Sequence, residues 1–187
     1  MTRGSVCVRD VVPADADALI AIWNDFSSDS DRAPREKTTP QQVERAVLRL
    51  ETDASERLIV AVIDEQAVGV AHLRRATISP IHDEDAVHVG SLHVLSGFRR
   101  RGVGTSLLEA AAEWAEVKDT KHVVALAASS SRDCNRFLAR LGLSQVAVVR
   151  AATVPALRAK LGTPATKSVT TNVIAARRLM RRARATS

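Results

Sequence analysis

The 187 residues suffice for one globular domain with a sizeable core, or one domain with a helical appendage, and not for two full domains. Apolar residues at 45% and charged residues at 26% exclude a generally disordered, fibrous or collagen-like chain. The net charge of +6 belongs to the chain's end: Lys167, Arg177, Arg178, Arg181, Arg182 and Arg184 lie beyond Leu161, where no acid occurs, leaving 21 basic against 21 acidic residues before it.

Val6 to Val12 is mostly β-branched and reads as a first strand. Behind Pro13, Ala18, Leu19, Ile22, Trp23 and Phe26 recur at helical spacing, with Asp15 and Asp17 suited to a helix N-terminus. Ser27 to Lys37 is a polar loop. Thr39-Pro40-Gln41-Gln42 supplies a cap, a proline at the first helical position and a glutamine at the third, opening a second helix through Leu50. Leu58 to Ile63, the turn Asp64-Glu65-Gln66, and Ala67 to Leu73 form a hairpin apolar enough to be largely buried. After the linker Pro80 to Asp85 come a strand from Ala86 to Leu95, an amphipathic helix from Gly102 to Val117 and a short strand from Val123 to Ala127. Ser131 to Leu141 reads as a helix closed by Gly142 at its C′ position, and Gln145 to Ala151 as a last strand. Ala156 to Leu161 is a short helical turn, Gly162-Thr163-Pro164 a break, and Asn172 to Arg184 is compatible with a helix. Alternating strands and helices, with antiparallel pairing at the start, make the body α/β.

No stretch approaches the roughly 18 to 20 uninterrupted apolar residues that cross a bilayer, and Met1-Thr2-Arg3-Gly4 leads into no secretory segment. The expectation is a cytoplasmic protein with no membrane partner. Cys7 and Cys134 are far apart and in no Cys-x-x-Cys pair, which supports neither a disulfide framework nor a thiolate metal site. His88 and His93 are five apart, so ideal strand alternation sends them to opposite faces and a shared metal is not expected. Cys134, Trp23 and Trp114 read as core residues.

The stretch richest in chemistry is Val87-His88-Val89-Gly90-Ser91-Leu92-His93-Val94, a turn, and then Arg99-Arg100-Arg101-Gly102-Val103-Gly104-Thr105 opening a helix. Backbone N–H groups at a helix start point outward, glycine admits a bulky anion close to the chain, and the arginines add charge-assisted bonds. That is a phosphate cradle. The spacing is neither the Gly-x-Gly-x-x-Gly of dinucleotide folds nor the Gly-x-x-x-x-Gly-Lys-Ser/Thr of nucleotide-hydrolysing P-loops.

Arg99 to Gly104 resembles the acetyl-CoA signature Arg/Gln-x-x-Gly-x-Gly/Ala of the GCN5-related N-acetyltransferase (GNAT) superfamily. The order of elements from Val6 to Arg150 is also similar, including Phe137-Leu138-Ala139-Arg140-Leu141-Gly142-Leu143 in place of that family's Leu-Gly-Phe segment. The resemblance implies a GNAT-like acyl-CoA N-acyltransferase fold: a central mixed sheet flanked by helices, with splayed parallel strands holding acetyl-CoA. It implies a GNAT domain over residues 1–152 and a basic, partly helical extension over 153–187. It further implies an N-acetyltransferase that moves an acetyl group from acetyl-CoA to a primary amine by direct attack in a ternary complex, without a metal.

By that resemblance Val94 N–H meets the thioester carbonyl, Leu92 and His93 line the pantetheine arm, and Arg99, Arg100, Arg101, Gly102, Val103, Gly104 and Thr105 take the diphosphate. His88, six residues before Val94 where some members carry a carboxylate, is the candidate base for an amine whose reference pKa is about 10.4. The family's Asn and general-acid Tyr correspond to Ser131 and Leu138, and the chain has no tyrosine. Ser131 and Cys134 share the helical face of Leu138, and either of them, or water, can stand in. The alternative is an acyl-CoA-binding protein with little or no catalysis. The basic tail reads as a solvated or dimer-contacting helix; with no aromatics interleaved among its arginines, nucleic acid is the weaker reading. Acceptor selection would fall to Asp25 to Thr39 and the chain beyond Ala151, which carry no readable code.

Overall fold

The computed structural model describes residues 5–28, 38–78, 81 and 84–161. The chain divides into two units, Met1–Ser144 and Gln145–Ser187. Within the first, strands β1 (Cys7–Asp10), β2 (Glu56–Ile63), β3 (Gln66–Thr77), β4 (Asp85–Val94) and β5 (His122–Ala125) form a five-stranded sheet in that order. All neighbours are antiparallel except β4 and β5, which run parallel. Helices α1 (Ala16–Ser28) and α2 (Pro40–Glu51) cover one face; α3 (Val103–Val117) and α4 (Arg132–Arg140) cover the other.

Local chemistry accounts for the element ends. At α2 the Thr39 hydroxyl accepts from Gln42 N–H while Thr39 N–H donates to Gln42 Oε1, a reciprocal capping box with Pro40 at the first helical position. The β2–β3 connection turns through Asp64 and Glu65 at φ 47° and 65°, the paired left-handed geometry that suits the twist of a tight hairpin. Helix α4 closes with Leu143 N–H on Leu138 C=O and Gly142 N–H on Ala139 C=O, Gly142 taking φ +87°. That pair of bonds satisfies the last carbonyls.

Two apolar clusters sandwich the sheet. Ile59, Ala61, Leu73, Val87, Val89, Leu107, Ala111, Trp114 and Leu138 make the layer beneath α3 and α4, and Leu19, Ile22, Val47, Val60 and Val70 the layer beneath α1 and α2. Each fully buried aliphatic side chain contributes about 1.5–3 kcal/mol.

The strand expected at Gln145 to Ala151 is absent: residues 145–150 carry no ladder, and Val146, Val148 and Val149 are exposed. An alternating apolar pattern makes a strand only where a neighbour accepts its N–H and C=O groups. Among its described residues the second unit contributes one helix, α5 (Val154–Leu161), over the stretch expected as a helical turn. Of the loop expected from Ser27 to Lys37, Ser27 and Ser28 instead complete helix α1; the rest of it, half of the Pro80–Asp85 linker, the break at Gly162–Pro164, the Asn172–Arg184 helix and the basic residues Lys167 to Arg184 lie outside the described residues.

Candidate functional site

Strand β4 is interrupted at its middle. Its partners on β3 run His88–Arg74, Val89–Leu73 and Gly90–His72, then resume at His93–Val70 and Val94–Gly69, so Ser91 and Leu92 together face Ala71. This is a bulge, and Ser91 takes the left-handed φ of 50° to make it. On the other side, the parallel register with β5 ends at Val89–Ala125, followed by a final Leu126 N–H bond of 2.9 Å to Val89 C=O. Beyond that point β4 continues alone along β3, and a wedge opens between it and the path of β5.

Peptide alternation identifies the groups that face this wedge. Leu95 N–H donates to Val68 C=O on β3, so Val94 and, two residues back, Leu92 turn their N–H and C=O groups away from β3. Their side chains pack on the layer beneath α3. Val94 C=O accepts from Arg99 Nε at 3.0 Å, which brings the first motif arginine over the wedge mouth.

The bulge also corrects the histidine geometry. The extra residue shifts the alternation by one, so His88 and His93 share the α1/α2 face instead of opposing each other. Five residues of strand still separate them by about 15 Å, and no group of three metal-binding side chains occurs among the described residues. The His93 ring does not line the wedge as expected. It is 7% exposed, its Nε2 lies 2.8 Å from Asp25 Oδ2 of α1, and Phe26 meets it edge-on with ring centroids 5.3 Å apart. Arg99 Nη2 stands 3.8 Å from the same Asp25 carboxylate. His88 is half-buried, and its Nε2 is buried with no hydrogen-bond partner among the described residues.

At the end of the turn Ser96–Phe98, Arg100 (φ 63°) and Gly102 (φ +88°) both adopt left-handed backbone before α3 begins. Val103, Gly104 and Thr105 occupy the first turn of α3, where N–H groups have no intrahelical acceptor, and Gly102 at the cap has no side chain to serve them. A Cβ on Gly102 would meet nothing within 4 Å. Gly104 has a packing role besides: a Cβ there would stand 3.2 Å from Phe137 Cζ, so its bareness serves the packing of α4 on α3. Val103 is buried in the core and offers only its backbone, while Arg101 lies over the Phe98 ring at 5.2 Å.

On α4, Ser131 sits at the N-cap without a side-chain capping bond, and Asn135 Nδ2 donates to both Ala128 C=O and Ser131 C=O, bracing the turn. Cys134 is half-buried against the core, and desolvation raises its thiol pKa above the ordinary value. Leu138, at the position that the resemblance gives to a tyrosine, is buried and carries no proton to give.

Sequence reasoning missed the Asp25–His93 pair, Asn135 and the Phe137–Gly104 contact. Asp25 looks like one more exposed helix acid, and only the fold brings it to β4.

The sequence model of the acetyltransferase (GNAT) family matches residues 18–143. No curated protein matches the sequence. Solved structures share the fold: a transcriptional regulator from Bacillus halodurans C-125 is 21% identical with a TM-score of 0.70, covering 80% of this chain and 99% of that one. Glucosamine-6-phosphate N-acetyltransferase from Arabidopsis thaliana is 12% identical with a TM-score of 0.67, covering 80% and 99%. Aminoglycoside N-acetyltransferase AAC(6')-Iy, in complex with CoA, is 14% identical with a TM-score of 0.66, covering 81% and 96%.

Proposed function

The chain belongs to the GNAT acetyltransferase family, and on that premise we propose that it transfers an acetyl group from acetyl-CoA to a primary amine by direct attack within the β4–β5 wedge. The observation that carries this reading is the joint occurrence of the Ser91 bulge, the end of β4–β5 pairing at Val89, and the uncapped α3 N-terminus behind Gly102. The aminoglycoside enzyme's complex with CoA supports the choice of coenzyme.

The amides of Val103, Gly104 and Thr105 hold the diphosphate, assisted by Arg100 and Arg101 at the rim. The pantetheine arm then runs along the Val94 edge, taking over the Val94 carbonyl from Arg99. An extended arm carries its thioester farthest from the diphosphate, which sets the thioester nearest the bulge. The resemblance gives Val94 N–H the oxygen that gains charge during attack; in this reading Leu92 N–H, the wedge-facing amide next to the bulge, takes that role in its place, and Val94 N–H holds the arm. Acetyl-CoA supplies the activated carbonyl.

His88 is four residues from Leu92, about 13 Å along the strand, and takes the amine proton through water. Its buried Nε2, with no partner among the described residues, supports this choice. As the new C–N bond forms and the C–S bond breaks, the departing thiolate takes its proton from solvent, Cys134 or Ser131. A thiol with reference pKa near 8.5 leaves without a strong acid, so Leu138 lowers the rate without forbidding turnover.

The experiment is acetyl-CoA calorimetry paired with thiol release over an amine panel. Binding with amine-dependent thiol release supports the transferase. Binding without release above background, as Leu138 also permits, supports a coenzyme-binding protein. No binding refutes both.

A further inference from the structure

On the α1/α2 face of the sheet, the row Glu56–Arg74–His88 crosses β2, β3 and β4, and the next row is Leu58–His72–Gly90. Alternation from Val70, which packs under α1, sends His72 and Arg74 to the same face, and the bulge leaves His88 there too. Directly opposed residues in an antiparallel pair have Cβ atoms about 5 Å apart, so the Arg74 and His88 side chains are neighbours.

Charge in this patch is unevenly spent. Glu56 Oε2, the nearest acid, lies 3.1 Å from His72 Nε2. The following arginine, Arg75, is consumed on the other face by Asp85 at 2.7 Å. Arg74 is exposed and makes no ion pair or hydrogen bond among the described residues. A guanidinium with no carboxylate partner among the described residues thus stands beside the imidazole proposed to take the acceptor's proton.

Resting on the acetyltransferase reading above, we propose that Arg74 selects the acceptor: a primary amine that also carries an anionic oxygen group, a carboxylate or a phosphate, within a few bonds of the nitrogen. The guanidinium binds that group with charge-assisted, two-pronged geometry. A diamine or polyamine would instead bring a second cation against Arg74.

The test uses the full chain with acetyl-CoA and thiol detection, comparing matched amines: O-phosphoethanolamine and γ-aminobutyrate against ethanolamine and butylamine, with putrescine as the dication. The expected result is a kcat/KM at least about tenfold higher for one or both anionic amines than for their neutral counterparts, with putrescine lowest; the two anionic arms tell phosphate from carboxylate. R74A brings the ratio to within about twofold of one, R74E inverts it toward putrescine, and both variants keep wild-type acetyl-CoA affinity by calorimetry. Equal or better use of neutral or dicationic amines, or an R74A loss shared equally by all acceptors, overturns the assignment of Arg74 and leaves the transferase reading standing. Absence of acetyl-CoA binding, or of thiol release with every amine, overturns the transferase reading and this inference with it.

Discussion

His93 Nε2 of β4 and Asp25 Oδ2 of α1 lie 2.8 Å apart, joining the last turns of the first helix to the strand that borders the wedge. The imidazole is buried and the carboxylate half-exposed, so removing the acid strands a polar nitrogen in the interior. D25A is expected to lower unfolding free energy by about 1–2 kcal/mol, and D25N, which keeps an acceptor oxygen, by less than half of that. Denaturant titration of both variants checks this. Equal losses would show that the bond's geometry contributes little.

Gly102 and Gly104 are expected to respond differently although they share one motif. G102A places a side chain at φ +88° with open space around it, costing about 1 kcal/mol of stability. G102V also projects into the approach to the amides and is expected to weaken acetyl-CoA binding at least about tenfold. G104A drives a methyl toward Phe137 Cζ at 3.2 Å, so its main effect is on stability through α4. Coenzyme affinity and melting temperature measured side by side separate the two.

Much of this architecture was legible in the chain because its signals are local. The capping box at Thr39 and Gln42, the C′ glycine Gly142 and the amphipathic run from Val103 each depend on residues within a few positions of one another, and each is found where expected. The histidine faces were not legible, since one extra residue at Ser91 reverses every side chain beyond it and no residue type there announces a bulge. Gln145 to Ala151 has strand-like composition without strand pairing. The role of Gly104 depends on Phe137, 33 positions away, a contact that exists only after α3 and α4 meet.

Asp15 links pH to stability. Hydrogen bonds from the Arg9 guanidinium at 2.6 and 2.8 Å, aided by Val12 N–H at 2.9 Å, hold its carboxyl below the usual carboxylate range against the opposing cost of burial. A depressed folded-state pKa gives stability that is fully present above the unfolded value of about 3.9 and is lost as pH falls through the lower folded value. D15N is expected to cost about 1–3 kcal/mol at pH 7, with the difference from wild type shrinking below about pH 4. Urea unfolding at pH 7, 5 and 3 measures it; a constant difference across that range would contradict the linkage.

The two thiols are expected to differ in reactivity. Cys7 is exposed on β1, whereas Cys134 is half-buried on α4 with a thiol pushed up by desolvation. Iodoacetamide at pH 7.5 is expected to modify Cys7 at least about tenfold faster, because the thiolate is the nucleophile. Mass spectrometry of timed samples reads both sites. Comparable rates would mean that the face of α4 carrying Cys134 opens readily.

The central claim, that the amides opening α3 and the free edge of β4 together receive acetyl-CoA, is tested most directly by titrating CoA into the ¹⁵N-labelled full chain and following each amide resonance. The account predicts saturable shifts concentrated at Gly102, Val103, Gly104 and Thr105, with Leu92 and Val94 moving in the same titration. Shifts confined to other residues, or none at millimolar CoA, would contradict it.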